Sequence, residues 1–378
     1  MRLKRKVFLL IAGLLILNGC SSPDSSYEEK NDKKVKLEYE SSMEVEYAKG
    51  FKVDYYKEGY KVLTVNEAKT SYIVIPEGKK VPDDIDKDMV VINQPLKDIY
   101  MVSTGVMDMF AGLDAMDLIT FSSKKADEWY VDKAKEEMEN GNIVYAGKYS
   151  KPDYELLVAK NCRLAIENTM ISHSPQVIEK MESFNIPVLI EYASYEDHPL
   201  GRVEWIKFFG ALTDKEDKAK DVFNIQKEKV NKVIEDTKTG KTVVFFYVTS
   251  NGLISTRTSS DYIAKMIELA GGTYLPEDVK SDTKKASINM PVEEFYNKGK
   301  DADYIIYSSA IDGGVKSVDE LVKKCDVIKN FKAVKDGNVW CTTSDMYQQS
   351  LSAGDMISDI HNMLTGKDEE MVYLFKLK

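Results

Sequence analysis

The segment IPVLIEYASYEDHPLGRVEWIKFFGALTDKEDKAKDVFNIQKEKVNKV, residues 186–233, determines the fold that this sequence predicts. It begins with a short apolar strand, passes through a polar and aromatic turn at 192–198, and continues with the apolar spacing of two helices. Thr213 and Glu216 fit a capping box, which predicts a second helix ending near Asp236. Such a helix is roughly 35 Å long, which is enough to join two lobes. We expect the turn before it to form the hinge-side wall of a cleft.

Apolar strands alternate with amphipathic helices on both sides of this segment. That alternation predicts parallel sheets covered by helices on both faces. Residues 43–102 differ, because short alternating runs punctuated by glycine and proline predict mostly strands there. The predicted fold class is α/β, with two Rossmann-like lobes joined by one long α-helix and an N-terminal β-rich extension.

The N-terminus has the pattern of a secretory signal. Four basic residues precede the apolar run Val7–Leu17, which is too short to span a bilayer. Leu17-Asn18-Gly19-Cys20 then resembles a bacterial lipobox, which implies a lipid such as palmitate on Cys20 and a position on the extracytoplasmic face of the cell membrane. An ordinary signal peptide is the alternative. The predicted divisions are a signal peptide at 1–19, a flexible tether at 20–42, an N-terminal lobe with the extension at 43–199, linking helices at 200–237 and a C-terminal lobe at 238–378.

The composition excludes several classes of function. A net charge of −10 and a pI near 5.1 argue against a surface that binds nucleic acid. A bare-metal receptor is disfavoured because the chain has only three histidines, and Cys162, Cys325 and Cys341 lack the spacing of a zinc site. The 22 tyrosines suit half-buried positions and the lining of a pocket for a bulky ligand.

An ordered set of stretches resembles one family over about residues 95–365. The stretches include DIYMVSTGVMDMFAGLDAMDLI at Asp98–Ile119, Ala270-Gly271-Gly272, Tyr304–Tyr307 and Gly337–Trp340. A further stretch, KPDYELLVAKNCRLAI at Lys151–Ile166, departs from the family pattern because Cys162-Arg163 stands where Pro-Asp is usual. Together they are similar to the substrate-binding lipoproteins of ABC importers that take up iron–siderophore complexes, haem and cobalamin.

This resemblance implies a transport receptor without catalytic activity or a cofactor of its own. The expected ligand is a ferric siderophore-like iron complex held between the lobes, and the expected partners are an ABC permease and its ATPase. The resemblance also implies a monomer, tied to the membrane through Cys20. Cobalamin and haem remain alternative ligands. A surface hydrolase is the alternative from another class, although the sequence contains no Gly-x-Ser-x-Gly elbow.

Candidate ligand contacts follow the predicted strands, because ligands of such folds bind at the carboxyl ends of strands. The predicted ligand-binding residues are Ser103, Thr104, Tyr149, Glu167, Asn168, Thr169, Tyr192, Tyr195, Arg257, Ser308 and Tyr347. Arg257 is a candidate partner for ligand carboxylates, whereas Arg202 could do the same or brace the joint. Met170 and His173 are poor candidates for an opposed pair of haem ligands, because both come from one turn. The resemblance further implies one permease-docking acid per lobe, for which Glu179 and Asp261 are the candidates.

Overall fold

The structure is a computed structural model that describes residues 35–234, 238–280, 286–367 and 371–378. The predicted signal peptide, the lipidation site Cys20 and most of the predicted tether lie outside the described residues. No helix in the described part of the chain is both long and apolar enough to cross a membrane.

The N-terminal extension forms a five-stranded sheet whose strands follow one another in chain order. All neighbours are antiparallel except the last pair, which is parallel. Alternate residues such as Val53, Leu63 and Tyr72 are buried against the rest of the protein. The tether predicted to reach residue 42 is therefore too long, because its last residues pair with the second strand. The strands are β1 Tyr39–Ser42, β2 Phe51–Tyr56, β3 Lys61–Val65, β4 Thr70–Ile75 and β5 Val90–Asn93.

The first lobe has a parallel sheet with helices on both faces, as predicted. Its strands lie in the order β12-β11-β6-β7-β8. Along β11, Leu164 and Ile166 face one hydrophobic cluster and Ala165 faces another. The elements are β6 Ile99–Met101, α1 Thr104–Gly112, β7 Ile119–Ser122, α2 Asp132–Glu139, β8 Val144–Tyr145, β9 Gly147–Lys148, β10 Lys151–Pro152, α3 Tyr154–Ala159, β11 Leu164–Glu167, α4 Pro175–Ser183 and β12 Val188–Ile190.

Two helices follow the first lobe, α5 Pro199–Leu212 and α6 Glu216–Ile234. The predicted capping box is wrong. The Thr213 hydroxyl donates a 2.8 Å hydrogen bond to the Phe209 carbonyl oxygen and so closes α5 instead of opening α6. Asp214 then turns the chain in a left-handed conformation with φ 56°. The Lys61 ammonium, from β3, binds both Asp214 and Glu216 at 2.5 and 2.6 Å, and this tertiary contact fixes where α6 begins.

The second lobe is built on a seven-stranded mixed sheet in the described part of the chain. Its parallel centre was predicted, whereas the antiparallel neighbours β14, β16 and β19 were not. The elements are β13 Thr242–Val248, β14 Ile254–Arg257, α7 Tyr262–Leu269, β15 Thr273–Leu275, β16 Ser287–Met290, α8 Val292–Gly299, β17 Tyr304–Tyr307, α9 Val318–Lys324, α10 Lys332–Lys335, β18 Val339–Thr342, α11 Ala353–Thr365 and β19 Leu374–Lys376.

Helix α6 joins the two lobes by packing on both. Near its start Lys218 pairs with Asp114 of the first lobe at 2.7 Å, and further along Lys229 pairs with Asp355 of α11 at 2.5 Å. The segment 345–352 is a second connection, since the Leu351 amide donates a 2.8 Å hydrogen bond to the Asp108 carboxylate on α1. One hydrophobic cluster runs through the N-terminal sheet, both lobes and α5. The lobes therefore meet through a shared core as well as through a linking helix.

Candidate ligand-binding cleft

The cleft between the lobes contains two cavities that share the side chains of Arg202 and Tyr262. The polar cavity, of about 1090 Å³ including its opening to solvent, is lined by Lys49 and Glu67 of the N-terminal sheet, the turn 192–197 and residues 258–262 of the second lobe. The methionine cavity, of about 560 Å³ on the same measure, is lined by residues that include Met266, Met346, Met356 and Tyr347. The predicted hinge-side turn therefore lies where the sequence suggested.

Arg202 lines both cavities, and its side chain contacts both the second lobe and the turn 192–197. Its guanidinium lies 3.4 Å from the centre of the Tyr262 ring, and it donates hydrogen bonds to the carbonyl oxygens of Ser194 and Glu196 at 2.5 and 3.1 Å. Burial lowers the pKa of Arg202, and nearby Tyr262 and Asp261 partly oppose this effect. Arg202 therefore braces the turn, and because it also lines both cavities its pairing with ligand carboxylates stays a prediction.

Arg257 lies at the centre of a polar group of the second lobe next to the cleft; it lines neither cavity itself, but its partners Tyr347 and Asp261 do. Its guanidinium donates to the Tyr347 hydroxyl and its Nε is 3.8 Å from the Asp261 carboxylate. The Tyr347 hydroxyl is also 3.3 Å from the Ser308 hydroxyl. Burial lowers the pKa of Arg257, but Tyr347 and Asp261 outweigh it and the net shift is upward. Three predicted ligand contacts, Arg257, Ser308 and Tyr347, are thus brought together.

Ser103 does not line the cleft but supports the turn that does. This buried side chain donates a 2.9 Å hydrogen bond to Glu191, whose other carboxylate oxygen accepts from the Ala193 amide at 2.7 Å. Burial raises the pKa of Glu191, and the bond from Ser103 opposes that shift. Ser103 therefore holds the turn that carries Tyr192 and Tyr195, whose rings pack edge to face with centres 5.2 Å apart.

Four other predicted contacts line neither cavity in the described part of the chain. Thr104 begins α1, and Tyr149 packs against a cluster on the outer face of the first lobe. The Asn168 side chain accepts the Met170 amide and caps a short turn that starts at Thr169. The structure thus gives these positions local structural roles, and their prediction as ligand contacts gains no support from geometry.

Glu167 is another predicted contact that lines neither cavity. It lies at the end of β11 on the same face as Ala165, so it is directed away from the core shared with the cleft. The residue is fully buried, and neither carboxylate oxygen has a hydrogen-bond partner within the described residues. Burial raises the pKa of Glu167 to about 8. Its prediction as a ligand contact is at odds with this position.

The two predicted docking acids occupy different environments. Glu179 is exposed on α4, where a partner could reach it, and its role stays a prediction. Asp261 is only 5% exposed, caps α7 through a 3.0 Å hydrogen bond from the Ile263 amide, and faces the two arginines. Burial raises the pKa of Asp261, and Arg257 opposes that effect. A buried acid is not available to a permease surface, so Asp261 is better described as part of the cleft.

Several cleft residues were not identified from the sequence. Tyr262 follows the helix cap and gave no signal of its own, and Met266 and Met356 fit ordinary core positions. Lys49 and Glu67 lie in the extension, more than 120 residues before the turn that they face. The described residues contain no group of three or more His, Cys, Asp or Glu side chains that could hold a metal ion. The chemistry of the cleft is therefore that of tyrosine rings, hydroxyls and buried guanidinium groups.

Comparison with solved structures identifies proteins that have a similar architecture. Three solved structures share the fold at low sequence identity: a periplasmic binding protein from Veillonella parvula (16% identical, TM-score 0.59, 78% of this chain and 98% of that one), the petrobactin-binding protein YclQ from Bacillus subtilis (19%, 0.58, 74% and 94%) and a periplasmic heme binding protein from Pseudomonas aeruginosa (10%, 0.57, 74% and 97%). These similarities show the fold alone.

Relatives by sequence include two uncharacterized lipoproteins of Methanocaldococcus jannaschii. One is 28% identical and aligns over 72% of this chain, which spans 66% of that relative's length. The other is 26% identical over 88% of this chain and 87% of its own length. The family model described as "Periplasmic binding protein" matches residues 99–346, which is more than half of the chain. The two-lobed fold, the cleft and this match together show that the chain belongs to the periplasmic binding protein family.

Proposed function

We propose that the protein is the solute-binding lipoprotein of an ABC importer, and that it captures a ferric siderophore-like iron complex in the cleft for delivery to the permease and its ATPase. The observation that carries this proposal is a pair of arginines at a tyrosine-rich cleft between two lobes: Arg202 lines both cavities, and Arg257 binds Tyr347, which lines the methionine cavity. Guanidinium groups bind carboxylates and other oxyanions in a bidentate manner, and tyrosine rings pack on bulky planar ligands. Ferric chelates combine oxyanionic groups with bulky planar surfaces.

Family membership supports a binding role rather than catalysis. The names of two structural relatives, a petrobactin-binding and a haem-binding protein, put siderophores and haem among the ligands to test. Cobalamin is the third ligand class that the sequence resemblance leaves open. In this proposal the protein acts as a monomer, and the bound iron is cargo.

A thermal-shift screen of the purified mature protein tests the proposal. The probes are a ferric tris-catecholate, the ferric tris-hydroxamate ferrioxamine B, ferric citrate, haem and cyanocobalamin. A ligand that binds only the folded state at one hundred times its Kd stabilises it by about 2.7 kcal/mol, so at least one ferric siderophore should raise the Tm. Stabilisation by haem or cyanocobalamin alone would reassign the ligand. No stabilisation by any probe, together with turnover of ester or peptide substrates, would exclude a receptor.

Tyr195→Ala is expected to weaken binding of the stabilising probe about tenfold, which corresponds to ~1.4 kcal/mol, with little change in Tm. Tyr195 is 50% exposed in the polar cavity, so its ring is available to a ligand and contributes little to the core. Titration calorimetry measures the Kd. The matched control is Tyr130→Ala, because Tyr130 is 49% exposed and lines neither cavity. Equal affinity of the Tyr195 and Tyr130 variants would move the ligand away from the turn.

Cys20→Ser is expected to release the protein from the membrane fraction, because the proposed lipid on Cys20 is its anchor. Fractionation of cells that express the wild type and the variant, followed by mass spectrometry of the mature N-terminus, measures this. Cys162→Ser is the control, since Cys162 is a buried free cysteine in the first lobe. Retention of the Cys20 variant in membranes would contradict lipid anchoring at this residue.

A further inference from the structure

We propose that the N-terminal sheet is a third wall of the binding site, and that Lys49 on this wall selects ligands that carry a negative charge on the side facing it. This inference rests on the proposed function, because it concerns the same cleft. It goes beyond the two lobes, since the family match begins only at residue 99 and the three solved structures cited above cover at most 78% of this chain. Hydrogen bonds and close packing hold residues 46–50 in place as part of this wall.

Two buried carboxylates bind five consecutive backbone amides of the extension. We call this arrangement the amide clasp. Glu204 of α5 accepts the amides of residues 46, 47 and 48 at 2.7–2.8 Å, and Glu196 accepts those of residues 49 and 50 at 2.7–3.0 Å. Glu196 also accepts the Trp205 indole N–H at 3.0 Å. Hydrogen bonds to charged groups are about twice as strong as neutral ones, so the clasp fixes this segment beside the cleft.

Close packing leaves this segment little freedom to move away from α5. A side chain at Gly50 would place its Cβ 2.9 Å from the Trp205 ring and from the Glu196 carboxylate. The Tyr47 ring stacks on His198, the N-cap of α5, with ring centres 4.7 Å apart. On the other side, the Asn66 amide group donates to the Lys49 carbonyl oxygen at 2.6 Å. The backbone of Lys49 is therefore held through both its N–H and its C=O.

Two cations of the polar cavity, Lys49 and Arg202, are placed where an anionic ligand group would meet them. Within the described residues, Lys49 and Arg202 line the cavity without an ion pair, and the hydrogen bonds of the Arg202 guanidinium go to carbonyl oxygens. The carboxylates of Glu196 and Asp261 are already engaged, by the amide clasp and by the α7 cap with its two arginines. Glu67 and Asp197 are exposed acids that also line this cavity. An anionic group near Lys49 and Arg202 would meet two available cations.

Charge reversal at Lys49 tests the inference on the full mature protein. The attraction between two unit charges about 4 Å apart in water corresponds to about a fivefold change in affinity, so removing one charge costs about fivefold and reversing it about thirtyfold. We expect Lys49→Glu to weaken binding of the ferric tris-catecholate or haem, both anionic, by about thirtyfold, and Lys49→Gln to weaken it about fivefold. Binding of ferrioxamine B, which carries a free ammonium group, should be unchanged or stronger. These shifts should shrink in high salt.

The control variant is Lys87→Glu, which reverses an exposed lysine of the same extension outside both cavities. It should leave every Kd unchanged. An anionic probe that binds the wild type and both Lys49 variants with the same Kd would overturn this inference alone, and so would wild-type protein that binds only a cationic or uncharged probe. Wild-type protein that binds none of the probes would overturn the proposed function and this inference with it. If Lys49→Glu and Lys87→Glu change the Kd equally, the effect comes from the net charge of the protein, and this outcome also overturns the inference.

Discussion

Glu204→Gln is expected to lower the free energy of unfolding by about 3–5 kcal/mol, the range for breaking a buried charged network by removing one partner. Glu204 is fully buried, and its two oxygens accept three backbone amides and the Lys207 ammonium, the last at 2.7 Å. Glutamine has one acceptor oxygen, and its NH₂ group would face groups that also donate. The donors that face the NH₂ group, either two backbone amides or one amide and the Lys207 ammonium, would then be left without an acceptor.

Urea denaturation followed by circular dichroism measures this loss. Glu44→Gln is the matched control, because Glu44 is exposed just before the clasped segment and surface substitutions usually stay within about 0.5 kcal/mol. Amide hydrogen exchange provides a local readout, since the amides of residues 46–48 should lose protection in the Glu204 variant. A loss of stability below about 1 kcal/mol with unchanged protection would show that the amide clasp does not hold the extension.

Glu167→Gln is expected to remove a pH-dependent loss of stability. Burial raises the pKa of Glu167 from 4.5 to about 8. Below pH 4.5 the carboxyl is protonated in both the folded and the unfolded chain, and its contribution is fully present. As the pH rises towards 8 the unfolded chain ionises while the folded one does not, so stability is lost. At ~1.4 kcal/mol per pKa unit, the wild type should lose on the order of 4 kcal/mol relative to the variant.

The measurement is the free energy of unfolding of both proteins from pH 4.5 to 9. The difference between them should grow over that range and level off above pH 8. Other groups cancel in this difference, including Asp108, whose pKa burial raises to about 6. Glu179→Gln is the control, because Glu179 is an exposed glutamate of the same lobe and its difference should stay flat. A flat difference for Glu167 as well would mean that its carboxylate has a partner in solution.

The sequence predicted the two lobes because hydrophobic periodicity reports directly on strands such as β13 and on the buried face of α5. It misplaced the start of α6, because Lys61, about 150 residues earlier, selects Asp214 and Glu216 as its partners. It also missed β14 and β16, whose four-residue sequences ISTR and SINM contain only one and two apolar residues. In each case a contact between distant parts of the chain decided against the local pattern.

The candidate site could be predicted only in part, again because contacts between distant parts of the chain shape it. Turns after strands indicated Tyr192, Tyr195 and Tyr347, which line the cavities; their contact with a ligand stays a prediction. The same rule placed Glu167 in the cleft, although the alternation of side chains along β11 turns it to the other face. Asp261 opens a helix, as predicted, but tertiary packing buries it next to Arg257. The position of Lys49 in the cleft depends on the amide clasp, which no local sequence pattern predicts.

The amide clasp also has a consequence for the order in which the protein folds. Its two carboxylates come 146–158 residues after the amides that they bind. Contacts between residues so far apart in the chain are slow to form. A nascent chain that ends before residue 196 contains the whole N-terminal sheet but neither acceptor, so its five amides have no clasp. We therefore expect residues 46–50 to reach their final packing only after α5 has been synthesised.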